Sequence, residues 1–195
     1  MGYCVFGLCA HSHGQVRLTP DSCLKSAVVW AKTQVGVREK TGRNDGLRVD
    51  FYNQTAKVPL RSPYCASFVW TAFVLVGCKP EGIKYPAQAR QWFLNKSQVV
   101  LTQRSLRGNR RMLKTPKAGC VVGYYFQKPF NRISHIEILE KIDFEDEYIY
   151  CVGANTSARS SATSVDRAGD GVYYVRRRLN TFHVISDVMT PVNAK

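Results

Sequence analysis

Acidic residues are scarce. Fourteen Asp and Glu stand against twenty-eight Lys and Arg in 195 residues, a formal net charge of +14. A surface of that sign favours polyanionic partners: nucleic acid, an anionic membrane or an anionic cell wall. Histidine is scarcer still, with His11, His13, His135 and His183 making up the full set. Chemistry that needs an imidazole therefore has few places to look. No run approaches the roughly 20 apolar residues of a membrane span. The opening "MGYCVFGLCAHSH" has a short apolar stretch, but no Lys or Arg precedes it and two histidines follow, so no secretory signal is read there. The expectation is synthesis in the cytoplasm without a signal peptide. The seven cysteines (4, 9, 23, 65, 78, 120 and 151) are odd in number and lack C-x-x-C spacing. In a chain of this length without an export signal, a disulfide framework is not expected. Most of these cysteines read as small buried residues. Repeats and low-complexity tracts are absent as well.

What is present is ordinary globular material, 45% hydrophobic and 22% charged, enough for one domain with its own core. Residues 1–17 read as an N-terminal appendage, and 18–195 as a single domain. Thr19 is a suitable N-cap with Pro20 at the first helical position. Leu24, Ala27, Val28, Ala31 and Val35 then recur at helical spacing until Gly36. "GRNDG" (42–46) is a turn, and a second helix is expected over roughly 46–56. "RSPYCASFVWTAFVLVG" (61–77) reads as a third helix with Ser62 as N-cap, Pro63 first and Gly77 as the stop. "YPAQARQWFL" (85–94) suggests a shorter fourth. After Lys114 the pattern turns β-rich, with strands expected at 120–126, 134–142, 147–153 and 171–179, and a further one within 181–188. Helices first and a strand meander second imply an α+β domain, with N-terminal helices packed on a C-terminal antiparallel sheet of four to six strands.

Cys65 is the residue with the most chemistry in reach. Counted from Ser62 it is the third helical residue, on a stripe with Phe68, Val69, Ala72 and Val76, where a buried inert thiol is a reasonable outcome. The first turn of a helix also stabilises a thiolate and offers free N–H groups to a developing oxyanion. A thiolate needs a base, and His135 opens the strand "SHIEILEKI". His183 sits inside a late strand-like run and reads as structural. A third group should orient the imidazole, and Asn155 in "CVGANTS" ends the next strand. The order helix-Cys, strand-His, next-strand-Asn is more specific than its parts.

Several segments together resemble the CHAP family of cysteine- and histidine-dependent amidohydrolases and peptidases. These are NlpC-like, papain-fold cell-wall hydrolases, and the likeness is to the type found in phage lysins. "VGVREKTGRNDGLRVDFY" is similar to the family's N-terminal helix-and-turn segment, "PYCASFVWTAFVLVG" to its nucleophile motif and "SHIEILEKI" to its histidine strand. "GANTSARSSATSVDRAGDGVYYVRRRL" resembles its Gly-x-Asn-Thr turn and later strand. The resemblance spans roughly residues 35–180. It implies a papain-like fold, Cys65 as nucleophile, His135 as base and then acid, Asn155 near the third position, and a peptidoglycan amide as substrate. It implies no metal and no cofactor. Two departures stand out. Many members carry a carboxylate two residues before the Asn, where this chain has Gly153, and a small residue two places after the His, where it has Glu137. Residues 135 and 137 share a strand face, so Glu137, with Asn155, is expected to supply what Gly153 cannot. Cys120, where similar proteins often have Asp, is read as structural.

Other readings remain open at this stage. The charge and ten tyrosines suit a basic nucleic-acid-binding module, although no nucleic-acid motif is present and specific binding is not expected. Cys4, Cys9, His11 and His13 form a candidate metal cluster of unusually close spacing. A catalytically inactive, wall-binding virion protein would share the fold. On the hydrolase reading the chain is a monomer acting at the wall after release by a holin, a secretion system or a virion. The basic surface then helps to hold it on the anionic envelope, and an immunity or virion partner is conceivable.

Overall fold

The computed structural model describes residues 18–108, 115–157, 165 and 169–191. Three helices come first: α1 (Pro20–Thr33), α2 (Leu47–Thr55) and α3 (Cys65–Leu75). A 3-10 turn at Ala89–Phe93 and a second at Lys96–Gln98 lead into strand β1 (Val99–Thr102) and the short helix α4 (Gln103–Arg107). The remaining strands are β2 (Val121–Phe126), β3 (Arg132–Asp143), β4 (Tyr148–Thr156), β5 (Gly171–Arg178) and β6 (Val184–Ser186). They form one six-stranded sheet in the order β1-β6-β2-β3-β4-β5, antiparallel at every pairing. The domain is therefore mixed α+β, with α1 and α3 packed on β3 and β4 and α2 packed on α3.

Local chemistry explains most boundaries. Thr19 caps α1 by accepting from the Ser22 N–H, with Pro20 at the first position. The helix ends at Thr33, so Val35 falls outside its apolar stripe and is exposed, while Cys23 joins the stripe and is buried. The third helix starts later than its sequence suggests. Ser62 turns its hydroxyl back to the Pro59 carbonyl, as does its N–H, so it closes a turn over 59–62 instead of capping α3. Tyr64 is the N-cap and Cys65 the first helical residue. Residues 85–94 give only the 3-10 turn, and β1 and α4 lie in a stretch where no element was expected. The last strand is shorter than its apolar run, at Val184–Ser186.

All nine residues from Cys65 to Phe73 are buried, and the five from His135 to Leu139 are buried in succession. A strand buried without alternation is covered on both faces, the condition for placing polar chemistry out of water. The expectation of no disulfide is overturned: Cys23 in α1 is bonded to Cys78, just beyond α3. The partners are 55 residues apart, so no local spacing marks them. Helical phase brings Cys23 onto the buried face of α1, which packs on α3. Cys65, Cys120 and Cys151 are free and buried. Cys4, Cys9, His11, His13 and the whole 1–17 segment lie outside the described residues, as do residues 109–114. Among the described residues no helix is long and apolar enough to cross a membrane.

Candidate active site

Cys65 stands where the α3 macrodipole is most positive, and no side chain caps that helix end. It is only 7% exposed and borders a cleft of about 420 Å³ between the 58–63 turn, residues 87–90 and the start of β3. Burial pushes its thiol up. Hydrogen bonding to and charge from His135, with the N–H groups of Ile136 and Ala66, outweigh that and bring it below the ordinary value. For His135, burial alone would lower the pKa. Its bonds to Cys65 and Glu137 reverse the sign and push it up to about 9. The two groups thus favour a thiolate beside an imidazolium.

The imidazole is held from its far side. Nε2 donates to Glu137 Oε1 at 3.2 Å, and Nδ1, which has no hydrogen-bond partner among the described residues, is the nitrogen left for the thiol. Glu137 is itself fully buried and heavily bonded. Arg177 Nε donates to both carboxylate oxygens at 3.0 Å, Arg177 Nη2 also donates to Oε1, and the Tyr124 hydroxyl donates to Oε2 at 2.6 Å. Burial raises the carboxyl pKa, but the Arg177 guanidinium, then His135, drive it far below the usual carboxylate range. The result is a row of alternating charges: thiolate, imidazolium, carboxylate, guanidinium. Each is paired, which is the condition for keeping ions inside a protein.

The backbone explains why the carboxylate is at 137. Glu137 pairs with Gly153 across the β3–β4 ladder. A Cβ on Gly153 would lie 2.7 Å from Glu137 Oε1 and 3.1 Å from its Cδ. The space a side chain at 153 would occupy is filled from the opposite strand, so the two departures from the family pattern are complementary.

Asn155 is placed differently from its expected post beside the imidazole. It falls at a register break between Ala154 and Thr156, with φ 56°. A bulge of this kind re-aims the side chain. Its Nδ2 donates to Asn44 Oδ1 at 2.9 Å and to the Gly169 carbonyl at 3.2 Å, tying the 42–46 turn to the end of β4. The nitrogen of His135 that needs a partner is taken by Glu137 instead. His183 is exposed and stacks on Tyr125 at 5.1 Å, away from this cluster. Cys120 is buried with its thiol pushed up to about 12 by desolvation, so it stays protonated and inert.

Two members of the cluster had escaped notice in the sequence. "RRR" (176–178) looks like a solvated basic run, yet on β5 the outer two are exposed and Arg177 is fully buried. Period two was the available signal: the middle of three strand residues must face the opposite side. Tyr124 carried no such signal, since an aromatic in a β-rich run reads as core. Among the described residues no group of three or more His, Cys, Asp or Glu is placed to hold a metal ion. Comparison with family models, with curated proteins and with solved structures returns no match, so the geometry itself has to carry a reading of the chemistry.

Proposed function

We propose that this chain is a papain-like cysteine amide hydrolase acting on peptidoglycan. One observation carries the reading: a thiol with depressed pKa opens a buried helix beside an imidazole whose other nitrogen is fixed by a carboxylate. That is the geometry of an activated nucleophile with an oriented base. The likeness of its segments to the CHAP family adds the substrate class, and the +14 charge suits an anionic wall.

The steps follow from the placement of the groups. The Cys65 thiolate attacks the amide carbonyl carbon, forming a C–S bond as the carbonyl pair moves to oxygen. The uncapped N–H groups at the start of α3 receive that oxyanion. His135 gives its proton to the amide nitrogen as the C–N bond breaks, so an amine leaves and a thioester remains. Neutral His135 then takes a proton from water, hydroxide attacks the thioester, and the C–S bond breaks. A carboxylic acid departs and the thiolate–imidazolium pair is restored. Glu137 holds the ring in the tautomer that does this and stabilises its charged form.

Digestion of purified sacculi by wild type and Cys65→Ala, with mass analysis of released fragments, tests the reading. Wild type should release new amine and carboxyl termini at one bond type, and Cys65→Ala none. Release by both proteins, or by neither, overturns the assignment. Glu137→Gln should cost at least about tenfold in kcat, as loss of a base-orienting group does. Glu140→Gln touches only the Lys32 and Tyr174 side chains and should cost far less.

A further inference from the structure

The cleft at Cys65 does not end at the nucleophile. It shares Val58, Ala87 and Gln88 with a second hollow of about 570 Å³, so the two adjoin along one side of the molecule and are taken together as a groove. The second hollow has an apolar side that includes Trp70, Val74 and Ile83, and it carries Lys57, Lys79 and Lys84. Around Cys65 the groove adds Arg90 and Arg132. Among the described residues no Asp or Glu lines either part. Glu81 borders a third hollow whose lining also includes Lys79, Ile83 and Lys84, so one carboxylate sits beside the lysine end.

None of these five cations has a carboxylate partner among the described residues. Lys84 lies over the Tyr85 ring at 5.3 Å and Arg132 over Phe130 at 5.4 Å, contacts that leave their charges open to an anion. Lys57 follows α2 in a left-handed conformation (φ 56°) that ends the helix and brings it to the groove. Unpaired like charges along a concave apolar wall concentrate potential inside the groove, and such an arrangement is stabilised by an anionic occupant.

We infer that this groove is a subsite for an acidic peptide arm: carboxylates meet the lysines and arginines on either side of the scissile amide, and a short apolar segment lies against Trp70. This rests on the hydrolase reading and deepens it. Peptide carboxylates, rather than a phosphate polymer, are favoured because the lysine end is a pocket with apolar walls and not an open basic track.

Calorimetry on Cys65→Ser, which retains the groove, tests the inference with two probes: wall stem peptides with free carboxylates, and the same peptides amidated at those carboxylates. The free-acid peptide should bind at least about tenfold more tightly. Lys57→Gln, Lys79→Gln and Lys84→Gln should each weaken it by roughly 2- to 5-fold, the range for exposed ionic contacts, and Lys25→Gln on α1 should not. With Cys65 intact the same lysine changes should raise KM and leave kcat within about twofold. Equal affinity for the two peptides, or an unchanged preference in the triple lysine variant, overturns the subsite. So does tighter, lysine-dependent binding of a single-stranded oligonucleotide. Cleavage of both peptides with equal KM sinks the subsite alone. Selective binding without cleavage by wild type sinks the hydrolase reading alone.

Discussion

The buried Glu137–Arg177 pair makes a prediction whose sign runs against intuition: removing Arg177 alone should destabilise the protein more than removing the charge of both partners. Both side chains are fully inaccessible to solvent, and Arg177 donates to both carboxylate oxygens. Arg177→Met leaves the carboxylate buried with no cation beside it but His135, and with the Tyr124 hydroxyl as a neutral donor. Breaking such a pair from one side typically costs about 3–5 kcal/mol, because an uncompensated ion remains in a poorly polarisable interior. In Arg177→Met/Glu137→Gln that ion is gone, and the Gln carbonyl can still accept from a neighbour. Whatever else the guanidinium touches is lost in both variants and cancels. The double variant should therefore be more stable than Arg177→Met by about 2–3 kcal/mol. With urea slopes of about 1–3 kcal/mol per molar, its unfolding midpoint at pH 7 should lie roughly 1 M higher. A double variant equal to or less stable than Arg177→Met would refute the claim that Glu137 is held as an ion by this guanidinium.

Three further outcomes follow from the same geometry. Gly153→Ala places a methyl 2.7 Å from Glu137 Oε1; it should cost about 1–3 kcal/mol of stability by overpacking and lower kcat by turning the carboxylate off His135, both read on one purified variant. The pH profile of kcat/KM should be a bell whose alkaline limb lies near the His135 value of about 9, with an acid limb at the lowered Cys65 value. For stability the signs oppose. His135, raised from 6.5, contributes fully below 6.5, and that contribution is lost as pH rises through about 9. Cys65, lowered from 9.0, contributes above 9.0 and loses its contribution as pH falls through its folded value. Where both operate the slopes cancel. Wild-type stability, read by urea unfolding, should therefore change little with pH in the window where both groups titrate. Finally, the Cys23–Cys78 bond closes a 55-residue span. Chain-entropy arguments put its contribution at about 4 kcal/mol, so Cys23→Ala/Cys78→Ala should lose roughly that amount in the same assay.

How much could be read beforehand varied with the range of the interactions involved. The Thr19–Pro20 start was legible because capping is local chemistry. Cys65 in the first turn of α3 was legible for the same reason, and His135 was legible as a strand residue although β3 begins earlier, at Arg132. The two-residue error at the start of α3 came from Ser62, whose hydroxyl satisfies a turn carbonyl instead of a helix N–H, a choice that depends on where Pro59 sits. Glu137 was accessible through strand periodicity together with the vacancy at Gly153. Asn155 was legible as a turn residue at a strand end, but its bonds to Asn44 and the Gly169 carbonyl depend on a register break that the Gly-x-Asn-Thr turn does not announce. Arg177 and the disulfide were missed because each depends on which elements meet in space. Period two sets Arg177 on the face opposite its neighbours, but neither a basic triplet nor two isolated cysteines tells which elements those side chains meet.

The crosslink and the proposed nucleophile flank one helix: Cys65 opens α3, and Cys78 fastens the chain just past its other end to α1. The two sulfur sites want opposite surroundings. Strong reductant keeps the reactive sulfur intact but undoes the tie, while strong oxidant preserves the tie and threatens the reactive sulfur with sulfenic acid. On the proposed reading, activity should therefore be highest at intermediate redox conditions, and the burial of Cys65, at 7% exposure, limits an oxidant's access to it.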